Sequence, residues 1–170
     1  MDHKIRSVRE AESLLGIWRA SASCRVVATN GCFDVLHVGH VEYLRAAAAL
    51  GSLLVVGINS DAGVKALKGP GRPMNTERDR AALVASLDFV AMVVVFDGTR
   101  ATGFLRAVAP EVYVKGGDYT GETLNPEERS ALRAGKSEIR FIPLSKDEGG
   151  VVYSSSRMIR KYRLARRSGC

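Results

Sequence analysis

The stretch Thr29-Asn-Gly-Cys-Phe-Asp-Val-Leu-His-Val-Gly-His40 constrains the chain more than any other, because it joins a buried-looking strand to a helix through two histidines. Upstream, Arg25-Val-Val-Ala-Thr29 is a short β-branched run suited to a strand buried on both faces. Downstream, Val41 to Leu50 is strongly helical and stops at Gly51. At such a turn the first N–H groups of the helix lack partners and the helix dipole is positive, so a phosphate can be held without a side-chain charge. Gly31 and Gly39 would let that backbone approach a ligand, and His37 and His40 add imidazoles able to donate to phosphate oxygens. Two histidines three residues apart are by themselves usually helix-end residues satisfied locally. The strand before them, the Gly31-Cys-Phe-Asp34 block and Gly39 in register turn the reading toward an anion site.

The remaining chain alternates strands and helices. Ser7-Val-Arg-Glu10 is a capping box that opens an outer helix over residues 7–20. After Gly51 a second strand, Leu53 to Ile58, completes a β-α-β unit with a parallel right-handed crossover, and Asn59-Ser-Asp61 ends it, as a ligand contact or a capping turn. Residues 65–73 carry Lys65, Lys68 and Arg72 with two glycines and two prolines, which reads as a mobile basic loop. Asn75-Thr-Glu caps a helix to about Leu87, Phe89 to Phe96 is a third strand, and Thr99 or Thr102 opens a helix ending before Pro110. Glu111 to Val114 is a fourth strand running into Lys115-Gly-Gly-Asp-Tyr119. Asn125-Pro-Glu-Glu starts a helix through Arg133, and Glu138 to Ile142 is a fifth strand. After a loop over residues 145–153, Ser154, Ser155 and Ser156 cap a last helix and present hydroxyls to a second anion. The expected fold is therefore a doubly wound α/β domain with a five-stranded parallel sheet, spanning residues 1–170 with a basic C-terminal helix and tail from residue 154.

Composition narrows the function classes. A chain of 170 residues, 46% hydrophobic, can bury a core without disulfides, and no apolar run reaches the ~20 residues of a membrane span. The N-terminus leads into no secretory h-region, and Cys24, Cys32 and Cys170 show neither pairing nor metal-ligand spacing, so a reducing cytoplasm is expected. The net charge of +7 would suit a nucleic-acid binder, yet six of the 25 Lys and Arg fall in residues 157–167 and leave a nearly neutral body. No nucleic-acid or membrane partner is expected.

The His37-x-Gly39-His40 turn with its Gly-x-Phe-Asp block resembles the signature of the nucleotidylyltransferase superfamily, whose members attach a nucleoside monophosphate to a phosphorylated acceptor. The resemblance covers residues 24–162 and takes in Asn59-Ser-Asp61, the Lys68-Gly-x-Gly-Arg-Pro73 loop, Lys115-Gly-Gly-Asp118 and the serine-rich helix start. Within the superfamily the chain is most similar to adenylyltransferases that convert D-glycero-β-D-manno-heptose 1-phosphate and ATP into ADP-heptose for lipopolysaccharide, through its Lys-Gly-Gly-Asp-Tyr and Arg-Pro-Met-Asn segments. It departs in having Ser154-Ser-Ser where Ser-Thr-Thr is usual, and in a longer loop at residues 146–150.

The resemblance implies His37, His40, Lys68 and Arg72 as the catalytic groups. It implies Thr29, Asn30, Gly31, Cys32, Phe33, Gly39, Asn59, Asp61 and Ser154 to Ser156 around the nucleotide, and Asp34, Lys115, Gly116, Gly117 and Asp118 around the sugar. It further implies ATP and a sugar 1-phosphate as substrates, Mg²⁺ carried with the ATP and no dedicated metal ligands. A separate kinase would supply the sugar phosphate, and a homodimer is left open. The alternatives are a cytidylyltransferase acting on glycerol 3-phosphate or another alcohol phosphate and, from another class, a non-catalytic RNA-binding protein using the basic last helix.

Overall fold

The computed structural model describes residues 2–21, 23–117 and 123–160. The parallel strands form a single sheet in which β2 (Val26–Gly31), β3 (Leu53–Asn59), β4 (Met92–Phe96), β5 (Val112–Gly116) and β6 (Glu138–Ile142) match the five expected ones. The sheet has six strands rather than five. The extra one, β1 (Ile5–Arg6), pairs with β4 in the register Ile5 to Val93 and Arg6 to Val94. Two residues carry no periodicity, so this strand exists only because the β4 edge offers unpaired backbone groups to it.

Strand order is β1-β4-β3-β2-β5-β6. The chain thus walks outward from β2 through β3 to β4, then returns to the other side of β2 with β5. Successive residues point to opposite faces, and both faces are covered. On one side Val26, Ala28, Val55, Met92, Val94 and Tyr113 meet α1 (Val8–Ser21), α5 (Thr102–Val108) and α6 (Pro126–Ala134). On the other, Val27, Val56, Val93, Val112 and Val114 meet α2 (Val38–Ala48) and α4 (Glu77–Ala85).

The local signals explain most boundaries. Ser7 N donates to the Glu10 carboxylate at 2.8 Å and Glu10 N to Ser7 Oγ at 3.3 Å, the reciprocal capping box expected for α1. Thr76 caps α4 and Asn125 caps α6, where Pro126 takes the first position. Helix α2 starts earlier than expected, at Val38 with His37 as its N-cap, so His40 lies inside the first turn. Helix α3 (Asp61–Lys68) takes in Lys65 and Lys68, which the sequence had assigned to a loop; the loop proper begins at Gly69, where φ is +87°.

Candidate active site

The order in which strands are added reverses between β2 and β5, and in open α/β sheets the crevice beyond the carboxyl ends at such a switch point is where ligands bind. Two adjoining cavities occupy it. One of about 370 Å³ is lined by His37, Gly39, His40, Lys68, Tyr153 and Ser154 to Ser156. The other, about 490 Å³, runs from Asn30, Cys32 and Asn59 past Arg72 and Arg100 to Lys115 and Glu128. His40, Tyr43, Lys68, Leu144 and Ser155 border both.

The turn after β2 is built around aromatic rings. Phe33 takes a left-handed backbone (φ +45°), rare for a bulky residue, and so swings its ring back over Gly31. A Cβ on Gly31 would lie 3.1 Å from that ring, and the ring meets the edge of His40 at 5.3 Å. His40 in turn stacks on His37, with ring centroids 3.7 Å apart and planes 20° apart. The space the sequence reserved for a ligand at Gly31 and Gly39 is therefore filled by side chains here. A Cβ on Gly39 would stand only 2.8 Å from the Cβ of Tyr153.

Burial of this stack decides its charge. The Nδ1 atoms of His37 and His40 are both buried without a protein hydrogen-bond partner among the described residues. Loss of water pushes the pKa of His40 down to about 4, with repulsion from His37 adding to it, and burial lowers that of His37 as well. Both imidazoles are neutral in the empty protein near neutral pH. A phosphate entering beside them would favour the protonated form and draw a proton in.

Several expected ligand-binding residues have other work. Thr29 is fully buried, its hydroxyl 2.7 Å from that of Tyr43, which also donates to the Val114 carbonyl at 3.0 Å. Asp34 borders the larger cavity, with its carboxylate engaged by protein groups. Its carboxylate pairs with Arg72 and accepts the Met74 and Asn75 N–H groups at 2.6 and 3.1 Å, while Asn75 Nδ2 donates back to its carbonyl at 2.7 Å. The basic loop is thus tied to the His turn, and Arg72, though it borders the larger cavity, is held in an ion pair. Asp61 pairs with Arg80 at 2.8 Å and borders neither cavity, and Ser60 between it and Asn59 caps α3, which favours the capping-turn reading for that block.

Others are brought together around the larger cavity. Asn30, Cys32, Phe33 and Asn59 line the larger cavity with Lys115 and Gly116. Lys115 Nζ donates to Asn30 Oδ1 at 3.1 Å, an oxygen that also accepts the Tyr113 hydroxyl at 2.5 Å. Burial lowers the pKa of Lys115, partly offset by the Glu128 carboxylate, so an anion brought to it would restore its preference for charge. Burial likewise raises the Cys32 thiol, which makes it a poor nucleophile. Gly117 turns the chain with φ +92°, a conformation glycine adopts readily, whereas a Cβ on Gly116 would strike Tyr43 at 2.9 Å. Ser155 Oγ donates to the Val35 carbonyl at 3.0 Å and pins the start of the last helical segment, residues 155–160, to the His turn. Asp118 and residues 161–170 lie outside the described residues.

Three contributors were missed from sequence. Arg80 is fully buried and donates to the carbonyls of Cys32, Asn59 and Asn75 at 2.7, 2.8 and 3.2 Å, joining the ends of β2 and β3 to the loop before α4. An arginine beside Ala81, Val84 and Ala85 on the buried face of a helix was the available signal. Tyr43 stands three residues after His40 on the same face of α2, a spacing that could have been read. Tyr153 gave no local signal. No group of three or more His, Cys, Asp or Glu side chains that could hold a metal ion occurs among the described residues.

The sequence relationships agree with this geometry. A bifunctional protein HldE of Campylobacter concisus is 49% identical over 121 residues, covering 71% of this chain and 25% of that protein. The HldE of Syntrophotalea carbinolica is 44% identical over 138 residues, covering 81% and 28%. The chain thus spans about a quarter of the length of these curated relatives. In fold it is similar to a crystal structure described as a lipopolysaccharide core biosynthesis protein from Thermoplasma volcanium, with a TM-score of 0.60 over 74% of this chain and all of that one, at 24% identity. Residues 28–161, from the middle of β2 through the His turn, both cavities and the segment that starts at Ser154, match a single sequence family, and the chain belongs to that family, the cytidylyltransferase-like proteins.

Proposed function

We propose that the chain transfers AMP from ATP to the phosphate of D-glycero-β-D-manno-heptose 1-phosphate, giving ADP-heptose and pyrophosphate. The observation that carries this reading is the meeting of two cavities at His40 and Lys68, one lined by the histidine pair and serine hydroxyls, the other by Lys115, Arg72 and Arg100 with Asp34, Glu128 and neutral polar groups. The first suits a triphosphate and the second a phosphorylated polyol. The HldE relatives support the family-level part, and the resemblance of the Lys115-Gly-Gly and Arg-Pro-Met-Asn segments to heptose 1-phosphate adenylyltransferases supports the choice of sugar.

In this mechanism an oxygen of the sugar phosphate attacks the α-phosphorus of ATP; the new P–O bond forms as the bond to pyrophosphate breaks on the opposite side. The nucleophile is already an anion, so no general base is needed and the protein contributes positioning and charge neutralisation. His37 and His40 donate to the triphosphate and the pentavalent phosphorus, and Lys68 stands between the two cavities to follow charge from one to the other. Lys115 holds the acceptor phosphate. Mg²⁺ enters as part of the ATP substrate. In cells a kinase acting on the free sugar would supply the acceptor.

Pyrophosphate release decides the reading when measured with ATP or CTP and with the heptose 1-phosphate or glycerol 3-phosphate. We expect kcat/KM to be far higher for ATP with the heptose phosphate. A preference for CTP and glycerol 3-phosphate would overturn the substrate while leaving nucleotidyl transfer standing, and no pyrophosphate with any pair would overturn both.

A further inference from the structure

The chemistry above makes no use of the hairpin at residues 145–153. We propose that this hairpin makes Tyr153 a positioning residue for His37, holding the imidazole flat against His40 and keeping water from its outer face. The hairpin is closed by an antiparallel bridge between Lys146 and Val152, an Asp147 N–H to Val151 carbonyl bond of 2.8 Å and a Tyr153 N–H to Ser145 carbonyl bond of 3.2 Å. Its tip is folded by Asp147 Oδ1, which accepts the Gly149 and Val151 N–H groups at 3.0 and 2.9 Å. Two residues later Ser155 is bonded to the Val35 carbonyl, so Tyr153 is held from both sides.

Its ring lies on the bare Cα of Gly39 and faces His37 with centroids 5.9 Å apart and planes 25° apart. Tyr153, His37 and His40 therefore form one stack. The groups that face His37 across its cavity are His40 and Tyr43 from α2, Lys68 from the end of α3, and Tyr153; none of the described lining residues is a carboxylate. With no acid to hold a proton there, the depth of burial and the neighbouring cations set when His37 ionises, and Tyr153 supplies part of that burial. At a 3.7 Å separation the pair also disfavours two charges at once, so the proton that accompanies a bound triphosphate is shared by the two rings.

The test is an NMR titration of the histidine ring signals in the full chain, which has three histidines and so is assigned with two single variants. In Tyr153→Ala the His37 midpoint should rise by about half a pH unit or more as water reaches its face, whereas Tyr153→Phe should leave it in place. The alkaline limb of the kcat/KM profile, set by the proton taken up with the triphosphate, should move in the same direction. The kinetic arm rests on the proposed nucleotidyl transfer, but the titration is read on the empty protein and stands without it. If Tyr153→Ala does not fold, Tyr153→Leu keeps most of the volume, loses the stacked ring and serves the same comparison. An unchanged His37 midpoint in a folded Ala or Leu variant, or an equal shift in Tyr153→Phe, overturns the proposal.

Discussion

His40 loses water because Phe33 meets its edge at 5.3 Å and His37 covers its face at 3.7 Å, and this burial is why its pKa falls from an ordinary 6.5 to about 4. The sign of the linkage follows. Between those two values the unfolded chain binds a proton that the native one refuses, so this site's contribution to stability is fully present above 6.5, is lost as the pH falls through the window, and is at its minimum below about 4. Thermal unfolding midpoints should therefore drop over that range, and His40→Ala should flatten part of the drop. The same variant removes the donor proposed to face transition-state charge and should lower kcat by on the order of 10². Near-normal turnover in a folded His40→Ala protein would contradict the assignment, as would an unaltered pH slope.

Between elements, the decisive link is the buried Asp34 carboxylate. It belongs to the turn after β2 but is satisfied from the loop between α3 and α4, nearly forty residues away, by Arg72 and two backbone N–H groups. The sequence pictured residues 65–73 as one mobile basic loop; in the structure the lysines belong to α3 and the loop is anchored at its far end. Hydrogen exchange should therefore be fast at Gly69 and Gly71 and slow at Met74 and Asn75 in the empty protein. Asp34→Ala should abolish the protection at Met74 and Asn75 and destabilise the fold by about 3 kcal/mol, because it leaves a guanidinium largely out of water without its partner. Protection at those two amides that survives the substitution would show that the clamp does not hold the loop.

For the molecule as a whole, the crevice exists because β5 returns beside β2, bringing Lys115 within reach of Asn30 across 85 residues of chain. The two cavities are then assembled from different parts of the topology, and their ligands should be separable. Lys115→Met should raise KM for the sugar phosphate about tenfold or more, the loss expected for one charge-assisted hydrogen bond, while KM for ATP stays within about twofold. Steady-state kinetics with each substrate varied in turn checks this. An equal rise in both values would place Lys115 on the nucleotide instead.

What the sequence determined by itself was whatever depends on neighbours along the chain. The Ser7–Glu10 box, the caps at Thr76 and Asn125, the five longer strands and the strand-to-helix turn carrying His37 and His40 all rest on interactions within a few residues or on a period that can be read directly. Tertiary structure decided how each polar or aromatic group was satisfied. That Asp34 meets Arg72, that Tyr153 covers Gly39 and that the Thr29 hydroxyl meets that of Tyr43 depended on partners 14 to more than 100 residues distant. The two-residue β1 and the buried Arg80 belong to the same class. A buried donor or acceptor must find a partner somewhere, but the sequence around it does not say where, because that partner is chosen by the packing of the sheet and its helices.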